Sequence, residues 1–439
     1  MIVGHELKRR DLYLKKLIAF QDTEPVKVIT GIRRCGKSSL LKLMIRHLLE
    51  SGIGQEQIVE MNFESFGLWN MSSEAFYDHV KERIIPDKRM YLFFDELQQI
   101  NGWEDVINSL RVELDCDIYV TDSNAYLLSS EYSTYLAGRC VEIRMLPLSF
   151  REFMEFQEFE IKEVPSVLGG MHRQVINRNG ERYDLRELFD AYMRYGGMPG
   201  ITDVGLDQEK AMTLLDGIYS TVVVRDILER EKRRGQRQIT DPILLRKIIL
   251  FLADNIGSSI SVSSIGHTLV NEGLLEQGKR KTTPSANTVQ AYIDALLESY
   301  FFYEIKRFDV KGKAYLRTLG KYYIVDIGLR NYLLGFRNRD RGHALENVVY
   351  FELLRRGYNV AIGKIDGMEI DFIVTAADEK KYIQVTESML GEDVRKRELA
   401  PLQKIRDNYE KIVLSMDRGL DASYDGIRSL DLIEWLLDV

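Results

Sequence analysis

At 439 residues, with 45% apolar and 29% charged residues, the chain is too long for one core and too apolar to be disordered, so about two to three domains are expected. A net charge of −7 argues against a strongly basic nucleic-acid coat while leaving room for a local basic face, and no run reaches the ~20 apolar residues of a membrane-spanning helix. Cys35, Cys116, Cys140 and the scattered histidines lack the spacing of a disulfide framework or a zinc site; with no signal-peptide pattern, reduced thiols in the cytoplasm are expected.

Residues 5–20 place Lys8, Arg9, Arg10, Lys15 and Lys16 among Leu7, Leu12, Tyr13 and Leu17, the pattern of an amphipathic helix whose basic side faces either a nucleotide or solvent. The β-branched run Val26–Thr30 follows, then Gly31-Ile32-Arg33-Arg34-Cys35-Gly36-Lys37-Ser38-Ser39, a full match to a phosphate-binding P-loop, then Leu40–Leu49 at helical spacing. Strand, glycine loop and helix are the context this motif needs. Gly31 and Gly36 let the backbone turn through positive φ, so that successive N–H groups and the positive helix end point at an anion. Lys37 is expected to bridge the β- and γ-phosphates and the Ser38 hydroxyl to ligate Mg²⁺. Cys35 sits in the loop by backbone position, where it could be alkylated.

Gln57–Phe63 reads as a second strand and residues 73–84 as a helix. Tyr91-Leu92-Phe93-Phe94-Asp95-Glu96 reads as a buried parallel strand that delivers two acids to its C-terminal edge, where ligands of open α/β sheets bind. Asp95 is expected to hold Mg²⁺ through water, and Glu96 to polarise the attacking water, which points to hydrolysis rather than binding alone. A helix at Val106–Val112 and a strand at Asp117–Thr121 come next. In NTPases with an extra strand between the P-loop strand and the acidic strand, a polar residue at that tip contacts the γ-phosphate or the water; Asn124, or Ser123, is the candidate. Arg139, just before the strand Cys140–Met145, is a candidate for reaching the γ-phosphate of the same or a neighbouring subunit, with an ordinary surface salt bridge as the alternative. Strands alternating with helices imply an α/β fold, a P-loop NTPase parallel sheet with right-handed crossovers, over residues 1–155.

Residues 155–185 are charged and irregular and read as an excursion or linker within a helical lid region, 156–240. In that region Tyr192–Met198 ends a helix on glycine with Pro199 beyond, and a later helix carries Arg225 and the basic run Arg230–Arg237. Arg225 is a candidate second nucleotide sensor, though such a run is usually a solvated face. From 241 to 335, helices at Pro242–Ala253, Ser261–Leu269 and Ser285–Leu297 precede a hairpin at 303–308 and 322–326 with Lys311-Gly312-Lys313 between, a winged-helix-like arrangement. Gly278-Lys279-Arg280-Lys281 could touch phosphates; DNA and protein are open as partners. Residues 336–439 form a last, small α/β domain, with a helix at His343–Leu354, strands at Glu369–Val374 and Lys381–Thr386, and a solvated helix within 391–410.

The ordered set Gly31–Leu40, Phe93–Gln98, Val120–Ala125, Tyr135–Arg139, Leu146–Phe153 and Phe189–Gly200 resembles a family of prokaryotic AAA-type ATPases that carry an appended C-terminal domain of unknown function. The resemblance spans nearly the whole chain. It implies an ATP-binding core, a winged-helix-like middle and a C-terminal fold similar to restriction-type nucleases. Asp122 departs from the family's usual glycine, and a carboxylate aimed at the γ-phosphate would repel ATP. Restriction-type nucleases need clustered acids and a lysine near the attacking water. Glu346 and Asp371 fit the acid positions, but Gln384 stands where a second strand acid belongs and Thr386 where the lysine belongs. The fold is therefore expected to persist without cleavage chemistry.

The expected function is a Mg²⁺-dependent ATPase, turning ATP into ADP and phosphate, that acts as a nucleotide-driven switch for DNA or protein partners, with no membrane partner and with a homo-oligomer required if Arg139 acts in trans. Two alternatives from other classes are an ATP-controlled DNA-binding nuclease or defence-like effector, and a non-hydrolysing ATP-dependent scaffold.

Overall fold

Every residue of the strands β1 (Val26–Thr30) and β3 (Met90–Asp95) is buried, as strands covered on both faces must be. In the computed structural model they belong to a parallel sheet with β2 (Ile58–Asn62), β4 (Cys116–Asp122) and β5 (Cys140–Arg144), ordered β2-β3-β4-β1-β5. The structure describes residues 7–124, 138–165, 171–229, 239–271, 284–310, 312, 314–337, 340–417 and 423–438. The helices α1 (Asp11–Ala19), α2 (Lys37–Glu50), α3 (Ser73–Lys81) and α4 (Trp103–Glu113) connect and cover the strands. Against α3 and α4 the sheet turns Val28, Val59, Met61, Leu92, Phe94 and Val120, and Phe76 meets Phe63 and Phe94 edge-on at 5.1 and 4.9 Å. Alternation puts Lys27, Phe93, Asp117 and Tyr119 on the opposite face. There Lys27 and Asp117 form a fully buried ion pair at 2.5 Å, with Tyr119 donating to Asp117 and stacked on Phe93. Burial pushes the Lys27 ammonium down and Asp117 pulls it back.

Residues through Leu146, together with Glu298–Tyr300, form one compact unit, and Pro147–Leu297 with the chain from Phe301 onward forms a second. The sequence places the domain boundary at about 155; the division between the compact units lies at Leu146, and α5 (Phe150–Phe156) packs within the second unit. Its capping box pairs Ser149 and Glu152 reciprocally at 3.0 and 2.9 Å, and its Phe150 and Phe153 meet Phe189 and Tyr192 of α6 (Leu185–Tyr195) at 5.2 and 5.4 Å. The stretch read as an irregular excursion is instead a three-stranded antiparallel sheet, β6 (Glu160–Pro165), β7 (Met171–Ile176) and β8 (Arg182–Tyr183).

The glycine stop after α6 is also a site of close backbone approach. Gly196 has φ +79°, and a Cβ on Gly197 would lie 2.3 Å from the Leu148 carbonyl oxygen. The Gly197 N–H donates to Asp326 at 2.6 Å, and Asp326 also accepts the Leu329 N–H at 3.1 Å as the N-cap of α11 (Ile327–Leu334). Asn331 donates to the Met193 and Arg194 carbonyls at 2.8 and 2.9 Å. The two helices are locked end to side by these side-chain bonds and by the passage of Gly328 past the Tyr195 carbonyl oxygen, which a Cβ there would meet at 2.0 Å.

After α7 (Gln208–Thr221) and a π-helical continuation (Val222–Glu229), the helices expected in the middle region are present as α8 (Pro242–Asp254), α9 (Val262–Asn271) and α10 (Ala286–Glu298). The hairpin is β10 (Phe302–Asp309) and β11 (Ala314–Ile324), with β9 (Ser259–Ile260) against β11. The hairpin does not project as a free wing. Arg307–Asp309 of β10 pair in parallel with β12 (Asn359–Ile365), so β9 to β17 make a continuous nine-stranded sheet among the described residues. Its other strands are β13 (Met368–Ala376), β14 (Glu379–Thr386), β15 (Glu410–Ser415), β16 (Ser423–Tyr424) and β17 (Ile427–Asp431). Helix α12 (Arg341–Arg355) and α13 (Glu392–Gln403) pack on it, and α14 (Leu432–Leu437) is the last helix among the described residues. The solvated helix expected within 391–410 is α13, but Leu399, Pro401 and Leu402 on one side are buried. Among the described residues no helix is long and apolar enough to cross a membrane.

Two stability effects follow. Gly197→Ala should cost about 2–3 kcal/mol in urea unfolding through the clash with Leu148. Burial raises the Asp326 carboxyl to about 6. The unfolded chain releases that proton near ~4, so between the two values the folded state binds more protons and stability falls as pH rises, by at most roughly 3 kcal/mol. Unfolding midpoints measured from pH 4 to 7 should show this slope in the native chain and lose it in Asp326→Asn.

Candidate functional site

β1 ends at Thr30, whose carbonyl accepts the Met145 N–H at 2.7 Å. The chain must then pass Met145, and at Gly31 (φ +139°) a Cβ would lie 2.1 Å from the Met145 carbonyl oxygen. Gly36, at φ +106°, turns the loop into α2, so the first-turn N–H groups at Lys37, Ser38 and Ser39 open on the loop interior. Lys37 is buried and its Nζ donates to the Gly31 and Ile32 carbonyls at 2.9 and 3.3 Å. The loop is braced from outside by Arg10, 3% exposed, whose guanidinium donates to the Cys35 and Leu146 carbonyls at 3.1 and 2.8 Å. The amphipathic helix region thus contributes one buried arginine to the loop, a role that spacing alone does not reveal. Cys35 is wholly buried, and burial pushes its thiol up, which disfavours the alkylation its loop position allowed.

β4 lies between β1 and β3, and brings the Thr121 hydroxyl between the two acids. Thr121 donates to Asp95 Oδ1 at 2.6 Å and accepts the Glu96 N–H at 2.9 Å. The Asn62 side chain donates to the other Asp95 oxygen at 2.8 Å. Glu96 leaves the strand with φ +57°, and its Oε2 accepts from Gln98 at 2.6 Å and stands 3.7 Å from Arg33 Nη1. Arg33 also pairs with Glu64. The P-loop, Asp95 and Glu96 are therefore brought together, with Arg33 as the link from loop to acid. Neither Thr121 nor Arg33 stood out individually in the sequence; the in-register pairing of β3 with β4 is what gives Thr121 its place.

Of the two tip candidates, Ser123 reaches Glu96, at a long 3.5 Å, and Asn124 is buried beside it with its N–H donating to Asp122 at 3.0 Å. Asp122 itself follows Thr121 by one residue, so its side chain leaves the sheet on the face opposite Asp95. The repulsion expected of a carboxylate aimed at the γ-phosphate does not arise from that face. Thr30 shares it, donating to Glu142 at 2.7 Å, and Glu142 also accepts the Tyr300 hydroxyl at 3.3 Å.

Arg139 is exposed, and its carbonyl accepts the Val26 N–H at 2.9 Å. That fixes it at the far end of β1, roughly 13 Å along the strand from Thr30. It cannot serve the phosphate loop of its own chain, which corrects the same-subunit option. The Arg225 side chain, Arg230–Arg237 and Gly278–Lys281 lie outside the described residues. Glu346 and Asp371 line a separate cleft in the second unit.

A family model described as an AAA domain matches residues 23–154, and one described as a domain of unknown function matches residues 186–340. An uncharacterised protein of Haemophilus influenzae is 37% identical over 98% of this chain and 98% of its own. A second, of Methanocaldococcus jannaschii, is 29% identical over 90% of this chain and 83% of its own. A solved Walker-type ATPase of Pyrococcus abyssi is similar at 16% identity and a TM-score of 0.46, covering 74% of this chain and 95% of that one. With its glycine loop, paired acids and intervening β4 in this order, the chain belongs to the prokaryotic AAA-type P-loop ATPase family that carries a further region of unknown function.

Proposed function

We propose that this protein hydrolyses Mg²⁺-ATP to ADP and phosphate and uses the nucleotide state as a switch for a DNA or protein partner. The observation that carries the reading is the Thr121 hydroxyl holding Asp95 and Glu96 together at the strand edge beside the P-loop. The oxygen donors Ser38 and Asp95 suit a hard divalent cation, which would neutralise phosphate charge there. The N–H groups of Gly31 to Ser39 would cradle the phosphates. Lys37 would exchange the Gly31 and Ile32 carbonyls for phosphate oxygens, and Glu96 would take the proton of the attacking water after release from Gln98. Arg33, already paired with Glu96 and Glu64, is placed to restrain Glu96 until then.

The switch reading is supported by Tyr300. It holds Glu142, which holds Thr30 at the mouth of the P-loop, and the next peptide bond leads to Phe301 and β10. Asn124 or Ser123 would sense the γ-phosphate. Arg139 would act only on a neighbouring copy, across a homo-oligomer.

Steady-state hydrolysis should be abolished in Lys37→Ala together with ATP binding, whereas Glu96→Gln should keep binding and lose about 10²–10⁴-fold in kcat. Stimulation of the native enzyme by duplex DNA identifies a nucleic-acid client; no response directs the search to proteins. Mixing Arg139→Ala with Glu96→Gln subunits should recover part of the turnover that each lacks alone, and no recovery rejects the trans role of Arg139.

A further inference from the structure

The cleft of the second unit has a volume of about 630 Å³; its lining includes Glu346, Glu369, Asp371 and Gln384 beside His343 and Arg397, the latter turned to Glu398 at 2.7 Å. Sequence reading finds no lysine where a restriction-type nuclease carries one, yet the structure supplies a cation from another strand. Lys321 of β11, 2% exposed, directs its Nζ to within 2.5 Å of Glu369 and 3.4 Å of Glu346. Two residues on, and so on the same face of β11, Tyr323 donates its hydroxyl to that Glu346 oxygen at 3.0 Å. Asp371 accepts the Val385 N–H at 2.8 Å, and Gln384 donates to Glu398 at 3.0 Å.

Burial alone would lower the Lys321 ammonium, but the Glu346 carboxylate, with Glu369 paired to the same ammonium, outweighs it and holds the group above the ordinary lysine value. Burial and the Glu346 charge push Asp371 well above the usual carboxylate range, toward its neutral form. A metal ion needs deprotonated carboxylates free to ligate. Here two carboxylates are engaged by the ammonium and the third favours its proton. Among the described residues no group of three or more acidic, histidine or cysteine side chains is arranged to hold a metal ion.

We propose that the Lys321 ammonium is the resident cation of this cleft, a covalently tethered substitute seated between the carboxylates where a divalent ion would otherwise bind, so that the cleft neither takes up a divalent metal nor supports metal-assisted phosphodiester cleavage. The ion cluster also ties β11 to α12 and β13, because removing the lysine leaves buried carboxylates uncompensated.

The test is Mn²⁺ titration of the full, nucleotide-free chain, in an Asp95→Asn background that silences the nucleotide site. The Lys321 protein should show no saturable site at millimolar Mn²⁺. Lys321→Met should gain one site with an apparent affinity about tenfold or more tighter, and the double variant Lys321→Met/Glu346→Gln should lose it again. Lys321→Met should also unfold at lower urea and recover on addition of Mn²⁺. A stoichiometric Mn²⁺ site in the Lys321 protein that Asp371→Asn removes, or Mn²⁺-dependent nicking of supercoiled DNA lost in Asp371→Asn, overturns the proposal. So does a folded Lys321→Met that gains no site. Should that variant fail to fold, the titration and nicking assay of the Lys321 protein decide alone.

Discussion

One hydroxyl group sets the geometry of the paired acids beside the P-loop. Thr121 donates to Asp95 and accepts from Glu96, so the acid that would hold the cation and the acid that would activate water are fixed relative to each other. This bond exists only because β4 is inserted between β1 and β3, in register Phe94 to Val120. A threonine at a strand tip is unremarkable by itself; between two carboxylates it becomes the part that makes them one site. The loop facing it is held as firmly, by Arg10 from α1's start and by the close passage of Gly31 past Met145. A preorganised anion cradle needs such bracing, since donors that must be reoriented during reaction lose much of their electrostatic effect.

The second unit is held together by close approach and buried charge. Gly196 and Gly197 bring the end of α6 against Leu148 and Asp326, and Asp326 is both helix cap and acceptor for the Gly197 N–H. The hairpin β10–β11 is absorbed into the large sheet, and that placement carries the buried Lys321 up to Glu346 and Glu369, two of the acids that line the cleft. Middle and C-terminal regions, separable in sequence, therefore share a sheet and an ion cluster.

What could be read from the sequence follows from how local each signal is. The P-loop and the acidic strand are contiguous and chemically constrained, so their elements and neighbours appear as expected. The 160–183 strands escaped because Glu160, Lys162 and Glu163 mask the alternation a half-buried strand shows. Lys321, Arg10 and Thr121 acquire their roles from chain segments 25 or more residues away, through pairing that periodicity does not encode. Asp122 is the converse case. Its orientation is available from strand alternation once Asp95 and Thr121 are known to share a face, and it turns the carboxylate to the side of the sheet opposite the paired acids.

The measurement that bears most directly on this account is phosphate release from Mg²⁺-ATP by the native chain, with bound nucleotide quantified in the same samples. Repeated turnover, with ADP and phosphate formed in equal amounts and lost on chelation of the metal, is the result expected of paired acids held beside a P-loop. Stoichiometric, persistent ATP binding without phosphate release would contradict it and leave an ATP-dependent scaffold.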